Sequence, residues 1–288
     1  MKLSRIEKII KKNSWDKSNY VQSDGQHLYW NDCQTFIKFK DQNLPLGFYH
    51  YKTLETRELS GIELDSKIVN NPSINEITVM KVKDLELLLK HASKDETRLF
   101  LCAVNFHGFD AVATNGYHLR KIELTNNLNG SYLVPREGIE YLLKCLSIAS
   151  KISVINLNFS EGYLTVFHDQ FECSIRLIDR EYIKWQGVWP KRFNYTCQVT
   201  NWIDYKDVKK LLNERKTVSL IGIKNDLMLK IDAGTLFKIG KCTHDFEIGF
   251  NCSFLELASE GKKQFEIRFN NELAPCKINE AIVMPIKL

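Results

Sequence analysis

The side chains best suited to chemistry in this chain are its eight cysteines and seven histidines, and their spacing matches no metal or catalytic motif. The cysteines form no Cys-x-x-Cys pair and the histidines no His-Glu-x-x-His motif. The sequence also lacks a Gly-x-Ser-x-Gly nucleophile motif, a P-loop and a Gly-x-Gly signal at a strand–helix junction. We therefore expect no enzyme, no metal and no cofactor. An unrelated enzyme on an α+β scaffold is the least favoured alternative.

Composition places the chain among globular proteins that are not embedded in a membrane. Its hydrophobic fraction is 44% and its charged fraction 26%, and no apolar run approaches the ~18 residues of a membrane helix. Residues 1–14 alternate lysine with isoleucine and leucine, which is not typical of a secretory signal. Scattered cysteines in apolar patterns are best explained as small buried hydrophobes, so we expect a reducing, cytoplasmic location. The net charge of +5 is compatible with a polyanionic partner.

The last eight residues, Ala-Ile-Val-Met-Pro-Ile-Lys-Leu, form an apolar run where a polar, frayed end is usual. Such a run predicts burial against the core of the chain, another subunit or a partner peptide. A last β-strand paired into a sheet is the simpler alternative.

A unit of one amphipathic helix followed by a β-hairpin recurs along the chain. Helices are predicted over residues 3–12, 82–93 and 205–215, from Pro135, and from an N-cap at Ser253. Hairpin turns are predicted at Asp24-Gly25, His107-Gly108, Glu161-Gly162 and Asn225-Asp226, with a further strand over residues 265–269 and a terminal strand.

This pattern predicts an α+β fold of repeated domains. Residues 171–177 alternate apolar with polar side chains, which indicates an antiparallel sheet with one buried and one wet face. Polar segments at 65–74 and 190–195 are predicted linkers. We expect a shortened N-terminal half-domain with its linker over residues 1–75, and domains over 76–192 and 193–288.

Six short motifs, in this order, resemble the bacterial DNA polymerase III β subunit, the sliding clamp. They are DETR at 95–98, ATNGYHL at 113–119, LVPR at 133–136, LID with VWP between 177 and 190, IGFN at 248–251 and VMPIKL at 283–288. The resemblance covers roughly residues 76–288, the second and third domains of that family.

The resemblance implies a ring of clamp domains, with antiparallel sheets outside and paired helices inside, that encircles duplex DNA without reading its sequence. It also implies tethering of DNA polymerase and clamp loader through their short linear motifs. Because the first domain is about half the usual length, a dimer with thinned first domains, a trimer of two-domain bodies and an open form are all possible. We favour the dimer.

The resemblance further implies an apolar pocket for partner peptides, and the alternative for each of its residues is ordinary core packing. Such a pocket suits the leucine and aromatic side chains of an extended peptide. Ile183 and Gly187 stand where the family usually has Pro and Arg, Asn115 replaces Asp, and Tyr117-His118 replaces His-Arg, so we expect a less basic pocket. Its expected walls are Leu101, Thr114, Gly116, Tyr117, His118, Leu119, Val188, Asn251, Phe254, Leu273, Pro275, Ile282, Met284, Pro285 and Ile286.

Basic residues opposite the apolar helix stripes are the expected DNA-facing wall, where phosphates would be contacted without base readout. The alternative is a solvated helix face, and Glu86, Glu140 and Asp207 lie among them. A second functional class also stays open: a monomeric clamp-like adaptor or decoy that binds clamp-motif peptides without encircling DNA. The predicted wall residues are Arg5, Lys8, Lys12, Lys83, Lys90, Lys94, Lys206, Lys209 and Lys210.

Overall fold

A computed structural model of the chain describes residues 7–10, 19–40, 44–53, 55, 75–149, 152–203, 217–231 and 235–287. These residues belong to two compact units. Unit 1 comprises Met1–Val112 and Ile122–Tyr182, and unit 2 comprises Ala113–Lys121 and Ile183–Leu288. The domain boundaries predicted at residues 75 and 192 stay a prediction.

Antiparallel strands account for most of the described secondary structure, as the sequence predicts. The first ten strands are β1 (Tyr20–Ser23), β2 (His27–Asn31), β3 (Thr35–Lys40), β4 (Gly47–His50), β5 (Glu76–Lys81), β6 (Ala103–Thr114), β7 (His118–Pro135), β8 (Val154–Ser160), β9 (Tyr163–Phe167) and β10 (Phe171–Arg176). The remaining strands are β11 (Tyr195–Val199), β12 (Thr217–Ile223), β13 (Asp226–Ile231), β14 (Thr235–Lys241), β15 (Phe246–Asn251), β16 (Phe265–Phe269), β17 (Cys276–Ile278) and β18 (Ala281–Val283).

The sheet of unit 1 has eight strands in the order β4-β1-β2-β3-β10-β9-β8-β5. Two of its hairpins form where predicted, because Gly25 and Gly162 supply the positive φ angles, 86° and 78°, that tight turns require. Strand β3 pairs with β10, with Phe39 opposite Phe171. The N-terminal strands and the middle of the chain therefore share one continuous sheet.

The predicted hairpin at His107-Gly108 is wrong, because β6 runs unbroken through both residues. Gly108 does have a positive φ of 60°, but within the strand rather than at a reversal. A glycine inside a strand commonly marks a local irregularity of the ladder, so the glycine signal alone did not identify a turn. The chain reverses instead after Thr114, and β7 begins at His118.

Helices α1 (Val82–His91) and α2 (Arg136–Ile148) pack together in unit 1. The Arg136 guanidinium donates to the carbonyls of Leu89 and Ala92, at 2.6 and 3.0 Å, and so satisfies the free acceptors at the end of α1. Gly138 allows α2 to lie close to the sheet, since an added Cβ would lie 2.3 Å from a methyl of Ile175.

The end of α1 and the start of α2 each differ slightly from the predictions. Helix α1 ends at His91, before Ser93, because the backbone at Ala92 is already extended. Pro135 is the N-cap of α2 and the last residue of β7 rather than the first helical residue. Six of the eight cysteines are buried free thiols, which confirms that several are small hydrophobes of the core.

In unit 2 the strands follow the order β15-β12-β13-β14-β11-β16-β17-β18, and β18 pairs with the first residues of β7. The β12–β13 turn lies at Lys224-Asn225, both with positive φ, one residue before the predicted Asn225-Asp226. The predicted strand over residues 265–269 is confirmed as β16, and the terminal strand as β18. Of the predicted linker 190–195, residues 190–194 lie outside helices and strands, and Tyr195 is the first residue of β11.

Helix α3 (Cys252–Ser259) covers the core of unit 2, with Leu255 and Ala258 fully buried. Its N-cap is Asn251 rather than the predicted Ser253, because the Asn251 side chain accepts a hydrogen bond from the Ser253 N–H at 3.0 Å. The predicted helix 205–215, the linker 65–74 and most of the predicted helix 3–12 lie outside the described residues.

Candidate functional site

Unit 2 carries an exposed apolar surface on the residues that connect its elements. Tyr117 is 57% exposed and Leu273 67%, and Val188 and Ile286 are also more than one-third exposed. Exposed apolar side chains of this size are candidates for an interaction surface.

The turn between β6 and β7 holds Tyr117 at this surface. The Asn115 side-chain oxygen accepts from the N–H groups of Tyr117 and His118, at 2.9 and 3.0 Å. Gly116 has a φ of 94°, and its N–H donates to the Thr114 hydroxyl at 3.0 Å. These bonds form a side-chain-supported turn, a role that the Asn115 amide oxygen performs as well as a carboxylate would. The Tyr117 ring is thus displayed by a rigid loop.

Phe254 on α3 joins this turn through two ring contacts. The Tyr117 ring stacks on it with centroids 6.1 Å apart, and the His118 ring meets it edge-on at 4.8 Å. Offset and edge-to-face pairs of this kind stabilise by about 0.5–1.5 kcal/mol beyond burial alone. The Asn251 side chain caps the start of α3 and so helps to fix the position of Phe254 in the first turn of that helix.

The C-terminal segment completes the surface. Strand β18 is buried, with Ile282 opposite Leu119 on β7. Beyond it, the Met284 N–H donates to the Tyr117 carbonyl and the Ile286 N–H to the Gly249 carbonyl, both at 2.8 Å. The apolar run therefore has two parts. The first is a strand in the core. The second is a segment whose backbone is hydrogen-bonded to the rest of unit 2 and whose side chains are partly exposed.

The buried ring of His118, which supports this surface, is uncharged, because burial lowers the pKa of His118 to about 4. A histidine in this environment is neutral at physiological pH. The sequence predicts a less basic pocket, and His118 is consistent with that prediction. Its ring contacts Phe254 edge-on and carries no positive charge.

Solved structures share this fold over the length of the chain. A DNA polymerase III beta subunit from Thermotoga maritima matches with a TM-score of 0.77 and 18% identity, covering 100% of this chain and 96% of that one. The chain has the sliding-clamp fold. A DNA polymerase III beta subunit structure from Eubacterium rectale has a TM-score of 0.80 at 14% identity, covering 99% of this chain and 96% of that one.

A beta sliding clamp from Caulobacter crescentus, with polyethylene glycol bound to its proposed beta-motif tethering region, matches with a TM-score of 0.77 at 16% identity, covering 99% of this chain and 96% of that one. No protein-family model and no curated protein sequence matches the chain. The resemblance read from the sequence is thereby confirmed at the level of the fold.

Most of the predicted pocket residues belong to unit 2, where direct contacts join the Tyr117–His118 turn to Phe254 and to the C-terminal segment. Tyr117, Gly116, Val188, Leu273 and Ile286 are exposed, and Asn251, Phe254, Pro275, Met284 and Pro285 are half-buried. Thr114, His118, Leu119 and Ile282 are buried and support the surface from below, as the core-packing alternative expects of Leu119. Leu101 belongs to unit 1, where it is buried at the end of the 3₁₀ helix Glu96–Leu101.

The predicted DNA-facing residues are only partly described. Lys83 and Lys90 are exposed on α1, seven residues apart and so on one face. Lys94 is exposed but lies beyond the end of α1, so the expected alignment of three lysines holds for two. Lys8 is exposed, and Arg5, Lys12, Lys206, Lys209 and Lys210 lie outside the described residues.

A buried ion pair beneath the surface escaped the sequence analysis. The Arg120 guanidinium contacts the Glu260 carboxylate at 2.6 Å, joining β7 to the residue that ends α3. Burial opposes ionisation of Glu260, but the Arg120 hydrogen bond and charge outweigh it and hold its pKa below the usual value. The partners are far apart along the chain, and no local pattern pairs them.

Among the described residues, no group of three or more histidine, cysteine or acidic side chains could hold a metal ion. Across that same part of the chain, each helix is too short or too polar to span a bilayer.

Proposed function

We propose that this protein is a DNA sliding clamp, a processivity factor of DNA replication that encircles duplex DNA and tethers DNA polymerase. The observation that carries the proposal is the fold, shared at TM-scores of 0.77 and 0.80 with DNA polymerase III beta subunits over nearly the whole chain. Encirclement replaces tight binding, and tethering raises the effective concentration of polymerase near its primer end. No step of this function is catalytic, and we place it in the cytoplasm.

The apolar surface of unit 2 is the proposed docking site for polymerase and clamp-loader peptides. Its support is the combination of exposed Tyr117 and Leu273 with a stacked Phe254 and a flexible Met284. A beta sliding clamp from Caulobacter crescentus has a bound polyethylene glycol in a region proposed to tether beta motifs. Leucine and aromatic side chains of an extended peptide match an apolar surface with few polar anchors.

Deleting residues 284–288 tests the docking site. The deletion removes the backbone bonds from Met284 to Tyr117 and from Ile286 to Gly249, and we expect it to abolish binding of a fluorescent peptide that carries leucine and phenylalanine side chains. Phe254→Ala is expected to weaken binding at least about tenfold, as loss of an aromatic anchor does. Binding is measured by fluorescence polarisation.

The matched control is Leu236→Ala, which truncates an exposed apolar side chain elsewhere in unit 2. It is expected to leave peptide affinity unchanged. Retained affinity in the deletion variant, with its fold intact by circular dichroism, would exclude this docking site.

The exposed lysines of α1 are proposed to face DNA phosphates. Reversing Lys83 and Lys90 to glutamate is expected to shorten retention on circular DNA and to lower the salt dependence of binding by roughly two phosphate contacts. The control reverses Lys224 and Lys241, two exposed lysines of unit 2. Equal retention in both double variants would mean that α1 does not face DNA.

The ring itself is tested by solution mass, measured by light scattering over a range of concentrations. A stable dimer, or a trimer, supports ring closure, and we expect the dimer. A monomer at every concentration that still binds peptide would instead identify the adaptor that does not encircle DNA.

A further inference from the structure

The wet face of the unit 1 sheet carries a second group of chemically active side chains, far along the chain from the docking surface. Four neighbouring strands place Tyr29, Lys38, Glu172 and Phe167 in one cross-strand row. Tyr29 lies opposite Lys38, Lys38 opposite Glu172, and Glu172 opposite Phe167. Side chains directly opposite one another in antiparallel strands are close enough to act on one ligand.

A cavity of about 220 Å³ opens at this row. The volume exceeds that of a single water several-fold and suits a small organic molecule. Its lining combines cationic, aromatic and acidic side chains: His27, Lys38, Lys40, Phe167, His168, Phe171 and Glu172.

Two ammonium groups make the cavity attractive to an anion. Lys38 and Lys40 alternate on β3 and so point to the same face, with Lys38 lying 5.8 Å from the centre of the Tyr29 ring. The nearby Asp24 carboxylate is already engaged, since it accepts from the Tyr29 hydroxyl at 2.8 Å and contacts the His27 ring at 3.3 Å. Within the lining, Glu172 lies opposite Lys38 and offsets one of the two ammonium charges, so the cavity keeps a net positive charge.

Glu172 has an unsatisfied hydrogen-bond acceptor. Its Oε1 is buried and has no hydrogen-bond partner among the described residues. Leaving a buried acceptor unpaired is costly, of the order of 1–3 kcal/mol, so such atoms commonly mark the place of a ligand group or a water. Burial raises the pKa of Glu172, and the Lys38 and His27 charges only oppose that effect.

The aromatic side chains provide a flat apolar wall. Phe167 is 45% exposed at the end of β9, and the rings of His168 and Phe171 stack with centroids 5.2 Å apart. An exposed aromatic ring next to lysines is the combination on which nucleobases stack in nucleic-acid-binding proteins.

Strand pairing argues against a peptide added as a further strand. Each of β2, β3, β10 and β9 is hydrogen-bonded to a neighbour on both sides. A peptide that binds by strand addition needs a free sheet edge, which these strands do not have. The ligand must therefore be recognised by side chains alone.

We propose that this cavity is a nucleotide site, in which Lys38 and Lys40 bind the phosphate, Phe167 stacks on the base, and Glu172 accepts from an amino or hydroxyl group. A nucleoside monophosphate supplies an anion, a flat ring and a donor within one small molecule. The same unit occurs free and within a single strand of DNA or RNA. The site does not depend on the proposed clamp function.

The test is titration calorimetry on the full chain with adenosine monophosphate, adenosine and inorganic phosphate. Adenosine monophosphate is expected to bind at least about tenfold more tightly than either fragment, because the fragments each lose one of the two anchors. An acidic tetrapeptide of glutamate serves as a comparison ligand.

Three variants assign the contacts. Phe167→Leu keeps an apolar side chain but removes stacking, and is expected to weaken adenosine monophosphate about fivefold or more with little effect on phosphate. Lys38→Ala with Lys40→Ala is expected to weaken both ligands by about tenfold. Lys230→Ala, a half-buried lysine of unit 2, is the control and should change neither. Thermal unfolding checks that each variant is folded.

The proposal is overturned if adenosine monophosphate binds no more tightly than phosphate, if Phe167→Leu leaves its affinity unchanged, or if tetraglutamate binds as well. The last outcome would identify a peptide-binding or general anion surface. An oligodeoxyadenylate that binds at least about tenfold more tightly than the mononucleotide, with the gain lost in Phe167→Leu, would assign the site to single strands. Equal affinities would assign it to free nucleotides.

Discussion

Lowering the pH from about 7 to about 5 should destabilise this protein through His118. The folded-state pKa of His118 is about 4, against an ordinary value of 6.5, because the ring is buried. Between those two values the unfolded chain binds a proton at this position and the folded chain does not. The free energy of unfolding therefore rises with pH, and the contribution is lost as the pH falls through that window.

The size of the effect follows from the two pKa values. Each unit of difference corresponds to ~1.4 kcal/mol once the pH lies well inside the window, so the loss between about pH 7 and about pH 5 is roughly 2 kcal/mol. That change is a sizeable part of the stability of a typical domain. It should be visible as a shift of the urea midpoint.

The assay is urea unfolding at those two pH values for the wild type, His118→Gln and His107→Gln. His118→Gln also loses the ring contact with Phe254, so the informative quantity is the change with pH rather than the stability at either pH. We expect His118→Gln to lose roughly 2 kcal/mol of the pH dependence, and the exposed His107 variant to keep it. Equal pH dependence in the wild type and His118→Gln would refute the assignment of a buried neutral histidine.

Two further predictions concern Arg120, which is buried, and Arg136, which is half-buried. Arg120→Met is expected to destabilise by about 3 kcal/mol, because it leaves the Glu260 carboxylate buried without its principal partner, and adding Glu260→Gln should recover part of that loss. Arg136→Met is expected to cost about 2–3 kcal/mol, because the carbonyls of Leu89 and Ala92 lose their donor at the end of α1.

Both predictions are measured by urea unfolding near neutral pH, with Arg98→Met as the common control. Arg98 pairs with Asp95 at the surface, where an ion pair contributes less than about 1 kcal/mol. A loss in Arg120→Met no larger than in Arg98→Met would mean that the Arg120–Glu260 pair is exposed to water in solution, and a loss that small in Arg136→Met would mean that the carbonyls at the end of α1 do not depend on Arg136. Failure of Glu260→Gln to recover stability would mean that lost packing, not the unpaired charge, dominates the Arg120 effect.

Local sequence patterns predicted helices and strands correctly where a pattern is typical of only one kind of structure. Alternating apolar residues around Glu161-Gly162 gave a hairpin, and residues 265–269 gave a strand. Gly108 also has a positive φ, but it lies inside β6. A positive φ occurs both at turns and within strands, so the glycine alone did not identify a turn. Predicted helix starts were wrong by one or two residues. Ser253 was predicted as the N-cap of α3, but Asn251 is the N-cap, since neighbouring polar residues are equally good caps.

The sequence did not predict which residues of the candidate site are buried and which are exposed. Motif resemblance named Tyr117, Phe254 and Ile282 together, yet Ile282 is buried and Tyr117 is exposed. Which side of a strand faces the core depends on its pairing with β7, and that pairing joins residues far apart in sequence. The Arg120–Glu260 pair was out of reach for the same reason.

The pairing of β3 with β10 has a consequence for biosynthesis. Phe39 pairs with Phe171, which is synthesised roughly 130 residues later, so β3 has no partner on that side until then. At the usual rate of translation the delay is on the order of ten seconds, during which the edge of β3 and the apolar side chains of Ile37 and Phe39 stay uncovered on the ribosome. The nascent segment that contains β3 is therefore expected to bind chaperones that act on emerging chains, and the sheet of unit 1 can be completed only after residues 171–176 have been made.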